Sequence, residues 1–271
     1  MGQTIACANQ KGGVGKTTTV VNLASYLALD GVRVLVIDLD PQGNATSGFG
    51  VDRAVVERSM YDAMVGDDAL DDLIVQGTAE GVDIIPSAVE LAGAELELAG
   101  ISARERRLRR LIEPVEDRYD VIFIDCPPSL GLLTVNALTA SDAVLIPLQC
   151  EYYALEGLTQ LLATIDLVRD HLNPGLGLDG VVLTMADART NLSADVAAEA
   201  RRHLGGTVYQ TVIPRSVRLS EAPSHGLPIT LYAPDSRGGL AYRTLAVEFR
   251  ARSQIGFRRD ADRAGDVLVW S

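Results

Sequence analysis

Lysine is nearly absent from this 271-residue chain: of 24 basic residues only Lys11 and Lys16 are lysine, and the other 22 are arginine. A general bias toward arginine accounts for the excess. It does not account for two lysines five residues apart in one glycine-rich loop, where a slim point-charge ammonium fits and a planar guanidinium does not. Cysteine is as scarce. Cys7, Cys126 and Cys150 are odd in number and far apart, which excludes a disulfide framework or a zinc site and leaves them as small buried apolar residues. The three histidines, His171, His203 and His225, show no catalytic spacing. No apolar run approaches the roughly 20 residues that a membrane helix needs. The amino terminus, Met1-Gly2-Gln3-Thr4-Ile5, enters strand-like sequence without a basic-then-apolar leader. A soluble cytoplasmic protein is expected.

Positive charge is also short overall, 24 basic against 36 acidic residues for a net charge of −12, which at face value speaks against a polyanion binder. The deficit is uneven. Residues 1–183 carry 12 basic and 27 acidic side chains, whereas residues 184–271 carry 12 and 9, so the carboxyl-terminal third is mildly basic.

What is present is an alternation of strands and helices. Short β-branched runs at Thr4–Ala8, Val32–Asp38, Val82–Pro86, Val121–Asp125, Ala143–Leu148, Gly180–Thr184 and Val208–Pro214 predict strands. Between most of them, Thr17–Leu29, Glu90–Ile112, Gly131–Thr139, Leu155–Leu172 and Ala194–Leu204 predict helices, with a last one over Leu240–Arg252. Several strands are apolar without interruption, as when helices cover both sheet faces. The expected fold is α/β: a doubly wound, mostly parallel sheet with helices on both faces, one domain over residues 1–252 with a tail at 253–271. Ligands of such sheets sit beyond the carboxyl ends of the strands.

The first strand ends in Asn9-Gln10-Lys11-Gly12-Gly13-Val14-Gly15-Lys16-Thr17-Thr18-Thr19 and passes directly into a helix. This is a nest of backbone N–H groups at a helix amino terminus, where the dipole favours anions. Gly12, Gly13 and Gly15 let the backbone close on phosphates. Lys16 reaches the β and γ phosphates, and the Thr17 hydroxyl is a ligand for Mg²⁺. Two carboxylates at i, i+2, Asp38 and Asp40, end the next strand. In this setting one orients or deprotonates water and the other holds Mg²⁺ through water. Val121-Ile122-Phe123-Ile124 delivers Asp125, a Walker B aspartate, before Cys126-Pro127-Pro128.

A strict Walker loop has glycine at position 10. Here Gln10 is followed by the second lysine, Lys11, and the loop resembles the deviant Walker A family of ParA/Soj and MinD ATPases, the nitrogenase iron protein and arsenite-pump ATPases. The segments Leu183–Ser193 and Val212–Ile229, with Tyr232–Gly238, resemble chromosomal ParA/Soj partition ATPases, and the resemblance covers residues 1–252.

The resemblance implies an ATP- and Mg²⁺-dependent hydrolase with slow turnover. Lys11 acts in trans on the partner subunit's ATP in a sandwich dimer, Asp40 attends the attacking water, and Asp38 lies close to the metal. Pro214 and Ser216 border the adenine, Ser216 standing where the family more often has Asn. It further implies that Arg189 and Arg218 contact double-stranded DNA without sequence preference, that a ParB-type centromere-binding protein stimulates hydrolysis, and that the protein associates with the nucleoid to segregate a chromosome or plasmid. Read from the residues alone, both arginines are equally suited to surface pairs with Asp187 and Glu221. A MinD-like membrane ATPase would end in a basic amphipathic helix, which three aspartates in the tail interrupt. A non-catalytic DNA-bound regulator would not need both Asp40 and Asp125.

Overall fold

The sheet is built from the apolar runs, and two of its inner strands, β2 (Val34–Asp38) and β5 (Val121–Asp125), are buried at every residue. The computed structural model describes residues 2–151, 154–187 and 189–253. In chain order its elements are β1 (Gln3–Cys7), α1 (Lys16–Leu29), β2, α2 (Asn44–Gly48), α3 (Met60–Val65), β3 (Val75–Gln76), β4 (Val82–Ile85), α4 (Ala94–Leu98), α5 (Arg107–Ile112) and β5. There follow α6 (Leu132–Ala140), β6 (Ala143–Gln149), α7 (Ala154–His171), β7 (Gly177–Ala186), α8 (Asn191–Leu204), β8 (Val208–Pro214), α9 (Val217–Glu221), α10 (Ile229–Tyr232) and α11 (Arg237–Ser253).

The strands lie in the order β3-β4-β2-β5-β1-β6-β7-β8, parallel throughout except for β3. Alternate residues feed two cores, one on each face. Val34 and Val36 pack with Leu23 and Leu27 of α1 and Leu245 and Phe249 of α11. Leu35 and Ile37 join the opposite core with Ile112, Leu133 and Leu161 from α5, α6 and α7. Register then decides where chemistry collects. Asp125 is level with Cys7 on one side and with Asp38 on the other, so the loops after β1, β2 and β5 leave the sheet side by side.

All seven predicted strands are present. The predicted helix over Glu90–Ile112 is not one helix: the chain turns through 3-10 segments at Val89–Ala92 and Arg104–Arg106 around α4 and α5. Gly93 and Gly100 weaken the helix interior, and Ala103 takes a left-handed φ of +54° that no α-helix continues through. Leu91, Leu98, Leu108 and Ile112 nevertheless all reach the core, which is what gave the segment its helical periodicity. The tail predicted at 253–271 lies, beyond Ser253, outside the described residues. Among the described residues, no helix is long and apolar enough to cross a membrane.

Candidate functional site

After β1 the chain is folded back by Asn9, whose Nδ2 donates to the Pro147 carbonyl at 2.8 Å while its Oδ1 accepts from the Lys11 amide at 3.0 Å. Gly13 and Gly15 sit at φ +72° and +92°, conformations that side-chain-bearing residues rarely adopt. Gly15 is the N-cap of α1, so no side chain caps the helix, and its first turn holds no acidic residue. Its free N–H groups and dipole are left for an anion. Thr184 Oγ1 donates to the Val14 carbonyl at 2.8 Å and pins the loop to β7.

Gly12, Gly13, Gly15, Lys16, Thr17 and Thr18 line a cavity of about 360 Å³ with Asp40 opposite and an apolar wall from Met185, Leu219, Pro223 and Leu227. Lys16 is 6% exposed, with Nζ 3.3 Å from the Lys11 carbonyl. An adjoining cavity of similar volume shares Gly15, Thr18 and Met185 and is bordered by Pro214 and Ser216. Val14 contributes to the loop through its backbone, its side chain being buried.

The carboxylates separate into different tasks. Asp125 is fully buried; Oδ2 accepts from Thr17 Oγ1 at 2.7 Å, and Oδ1 has no hydrogen-bond partner. Burial, then the Asp38 charge, pushes its acidity down, while Thr17 and Lys16 work the other way. An orphaned carboxylate oxygen beside a hydroxyl, next to a phosphate-type loop, fits a divalent cation, whose charge reverses that penalty. Among the described residues no group of three His, Cys, Asp or Glu side chains forms a protein cage for a metal. Mg²⁺ does not need one, since it keeps waters and phosphate oxygens as ligands.

Asp38 does not join Asp40 at the cavity. The strand ends at Asp38, so the period-two alternation that would put both on one face stops there. Its Oδ2 instead accepts from the Thr46 amide and hydroxyl at 2.8 and 2.7 Å, and its Oδ1 from the Asp40 amide at 3.3 Å. Asp40 borders the cavity, with Oδ1 accepting from the Gln42 amide at 3.0 Å.

The other cations singled out by sequence do not line this cavity and are exposed. Lys11, 39% exposed, points to Glu151 with Nζ–Oε2 2.9 Å, and Gln149 Nε2 donates to the other Glu151 oxygen. Arg189, 86% exposed, grips Asp187 with Nε and Nη2 at 2.9 and 2.6 Å. Those bonds, helped by the Arg215 charge, hold the Asp187 carboxyl well below the usual range. Arg218 Nη1 lies 2.9 Å from Glu221. The pairs with Asp187 and Glu221 are thus both formed. Arg189 lines a groove of about 780 Å³ with Arg215 and Arg237, while Arg218 lies outside it. Neither Arg215 nor Arg237 was singled out by sequence; the mild basic excess after residue 183 was the available signal. The cysteines are buried and free, and burial raises their thiols, Cys150 to about 11.

A protein family described as AAA domain matches residues 2–178. The sporulation initiation inhibitor protein Soj of Bacillus subtilis is 60% identical over 251 residues, 93% of this chain and 99% of that protein. The chromosome partitioning protein ParA of Caulobacter vibrioides is 51% identical over 252 residues, 92% of this chain and 94% of that one. Among solved structures, cobyrinic acid a,c-diamide synthase from Mycobacterium smegmatis with bound ADP and magnesium superposes with a TM-score of 0.83 at 37% identity, covering 94% of this chain and 96% of that one. At this identity over more than nine-tenths of its length, the chain belongs to the ParA/Soj family of chromosome-partitioning ATPases.

Proposed function

We propose that this chain binds and hydrolyses ATP with Mg²⁺ in the cavity under the glycine loop, and that ATP closes two subunits into a dimer competent for DNA. The observation that carries the reading is the contrast between the two lysines of one loop. Lys16 is buried against the cavity, and Lys11 stands on the rim. A rim lysine cannot serve its own nucleotide as Lys16 does. Its exposure supports a role across the dimer, on the ATP of a facing subunit, where it stabilises charge on the transferring phosphoryl group as an arginine finger does.

Within one subunit, the amides of Gly12–Thr18 and the Lys16 ammonium bind the phosphates, and Asp40 orients the attacking water. Thr17 and Asp125 would hold Mg²⁺, which supplies charge neutralisation at the phosphoryl oxygens. Asp38 stands level with Asp125 on the neighbouring strand. Pro214 and Ser216 border the adenine. The ADP and magnesium bound to the Mycobacterium smegmatis neighbour support this occupancy.

Arg189 and Arg218 bind DNA phosphates without reading bases, exchanging Asp187 and Glu221 for phosphate oxygens. A monomer carrying net −12 binds DNA poorly; two subunits presenting these arginines together bind it usefully, and the binding falls steeply with salt. A ParB-type centromere-binding protein stimulates hydrolysis, the dimer opens, and DNA is released on the nucleoid. The test is ATP turnover with neither, either or both of random duplex DNA and a basic peptide from the partner. Stimulation that needs both together is expected. Turnover indifferent to DNA and raised by anionic lipid vesicles would overturn the reading in favour of a membrane ATPase, and no turnover under any condition would favour a regulator.

A further inference from the structure

Below the loop that carries Asp40 lies a buried polar cluster that nucleotide binding leaves unused. Thr46, in α2, and Ser87, just after β4, are 0% and 1% exposed. Thr46 Oγ1 donates to Asp38 Oδ2 at 2.7 Å and accepts the Ser87 amide at 3.0 Å. Ser87 Oγ donates to the Asp40 carbonyl at 2.7 Å, and the Asp40 amide returns to Asp38 Oδ1 at 3.3 Å. The bonds close a ring: Asp38, Thr46, Ser87, Asp40 and back to Asp38.

Buried hydroxyls in helices ordinarily bond the carbonyl one turn back, as Ser25 does to Val21, Thr139 to Val135 and Ser141 to Ala137. Thr46, in α2, does not, and Ser87 lies outside any helix. Each spends its hydroxyl on another segment: Ser87 holds the carbonyl of Asp40, a cavity-lining residue just after β2, and Thr46 holds the Asp38 carboxylate that accepts the Asp40 amide. The Asp40 side chain stays outside the ring, so its main chain is fixed while its carboxylate is left free to meet water.

We propose that Thr46 and Ser87 are positioning residues for hydrolysis: they set the height of Asp40 above the phosphate loop, with Asp38 as the keystone between them. The inference rests on Asp40 as the water-orienting carboxylate. A misplacement near 1 Å costs about a hundredfold in rate, whereas ATP is bound by the glycine loop and not by Asp40. The effect therefore falls on kcat and not on KM.

The experiment is single-turnover and steady-state hydrolysis by the full chain with Mg²⁺. Thr46→Val, which keeps the shape and loses the hydroxyl, is expected to lower kcat by roughly ten- to a hundredfold with KM for ATP within about twofold. Thr46→Ser restores the hydroxyl and is expected to rescue kcat. Ser87→Ala lowers kcat in the same direction and carries the test if Thr46→Val does not fold. In an Asp40→Ala background neither change is expected to slow hydrolysis further, because each acts through Asp40. Wild-type kcat in Thr46→Val and Ser87→Ala, a Thr46→Ser variant as slow as Thr46→Val, or multiplicative losses on top of Asp40→Ala would each overturn the proposal. Wild-type hydrolysis by Asp40→Ala would instead overturn the role of Asp40 itself.

Discussion

The floor of the nucleotide cavity and its rim are built on opposite terms. On the floor, Lys16 and Asp125 are buried and hold contacts that no surface group can replace, Thr17 to Asp125 at 2.7 Å among them. On the rim, Lys11, Arg189 and Arg218 are exposed and each pairs with a carboxylate of its own chain. Exposed pairs of this kind contribute little, and salt or a competing anion replaces them easily. Withdrawing one partner from a buried charge costs several times more. The floor is thus fixed by its own buried contacts, whereas the exposed cations sit in weak pairs that, under the proposed function, a second subunit or a polyanion replaces.

Mutations can break this contrast, and the floor should give the largest effects. Lys16→Ala is expected to lower ATP affinity by more than about a hundredfold, read by calorimetry, since it removes the buried cation that the proposed function sets against the phosphates. Asp125→Asn should keep ATP binding but lose most of its Mg²⁺ dependence, with turnover down by about a hundredfold or more. On the rim, Arg189→Glu and Arg218→Glu should each lose ATP-dependent retention of random duplex while a salt series shows a shallower slope. Retention unchanged in both would remove this surface as the DNA contact. The smallest effect belongs to Glu151→Gln, which frees Lys11. The ATP concentration needed for dimerisation, followed by light scattering, should fall by about two- to fivefold, in line with the strength of one exposed pair. A shift as large as that of Lys16→Ala would mean that rim and floor do not differ as described.

Sequence reading recovered what has a period or a punctuated loop. The uninterrupted runs ending in Asp38 and Asp125 could only be strands covered on both faces, and Gly-Lys-Thr at a helix start is local chemistry. It failed where geometry depends on distant partners. The two-residue strand β3 is antiparallel, exposed and too short to show alternation. Asp38 and Asp40 look equivalent in the chain, and only Thr46 and Ser87, 8 and 47 residues further on from Asp38 and Asp40 respectively, draw them apart. A neutral hydroxyl carries no signal of that kind. Nor does an alanine such as Ala103 announce a left-handed turn.

Pro214, Arg215 and Ser216 are the shared boundary of the cavity beside the glycine loop and the arginine groove. One face of this three-residue partition lines the cavity and the other lines the groove. Communication between the two compartments therefore has almost no distance to travel. The backbone that touches one compartment is the backbone of the other, and a single bend there alters both without any hinge between domains.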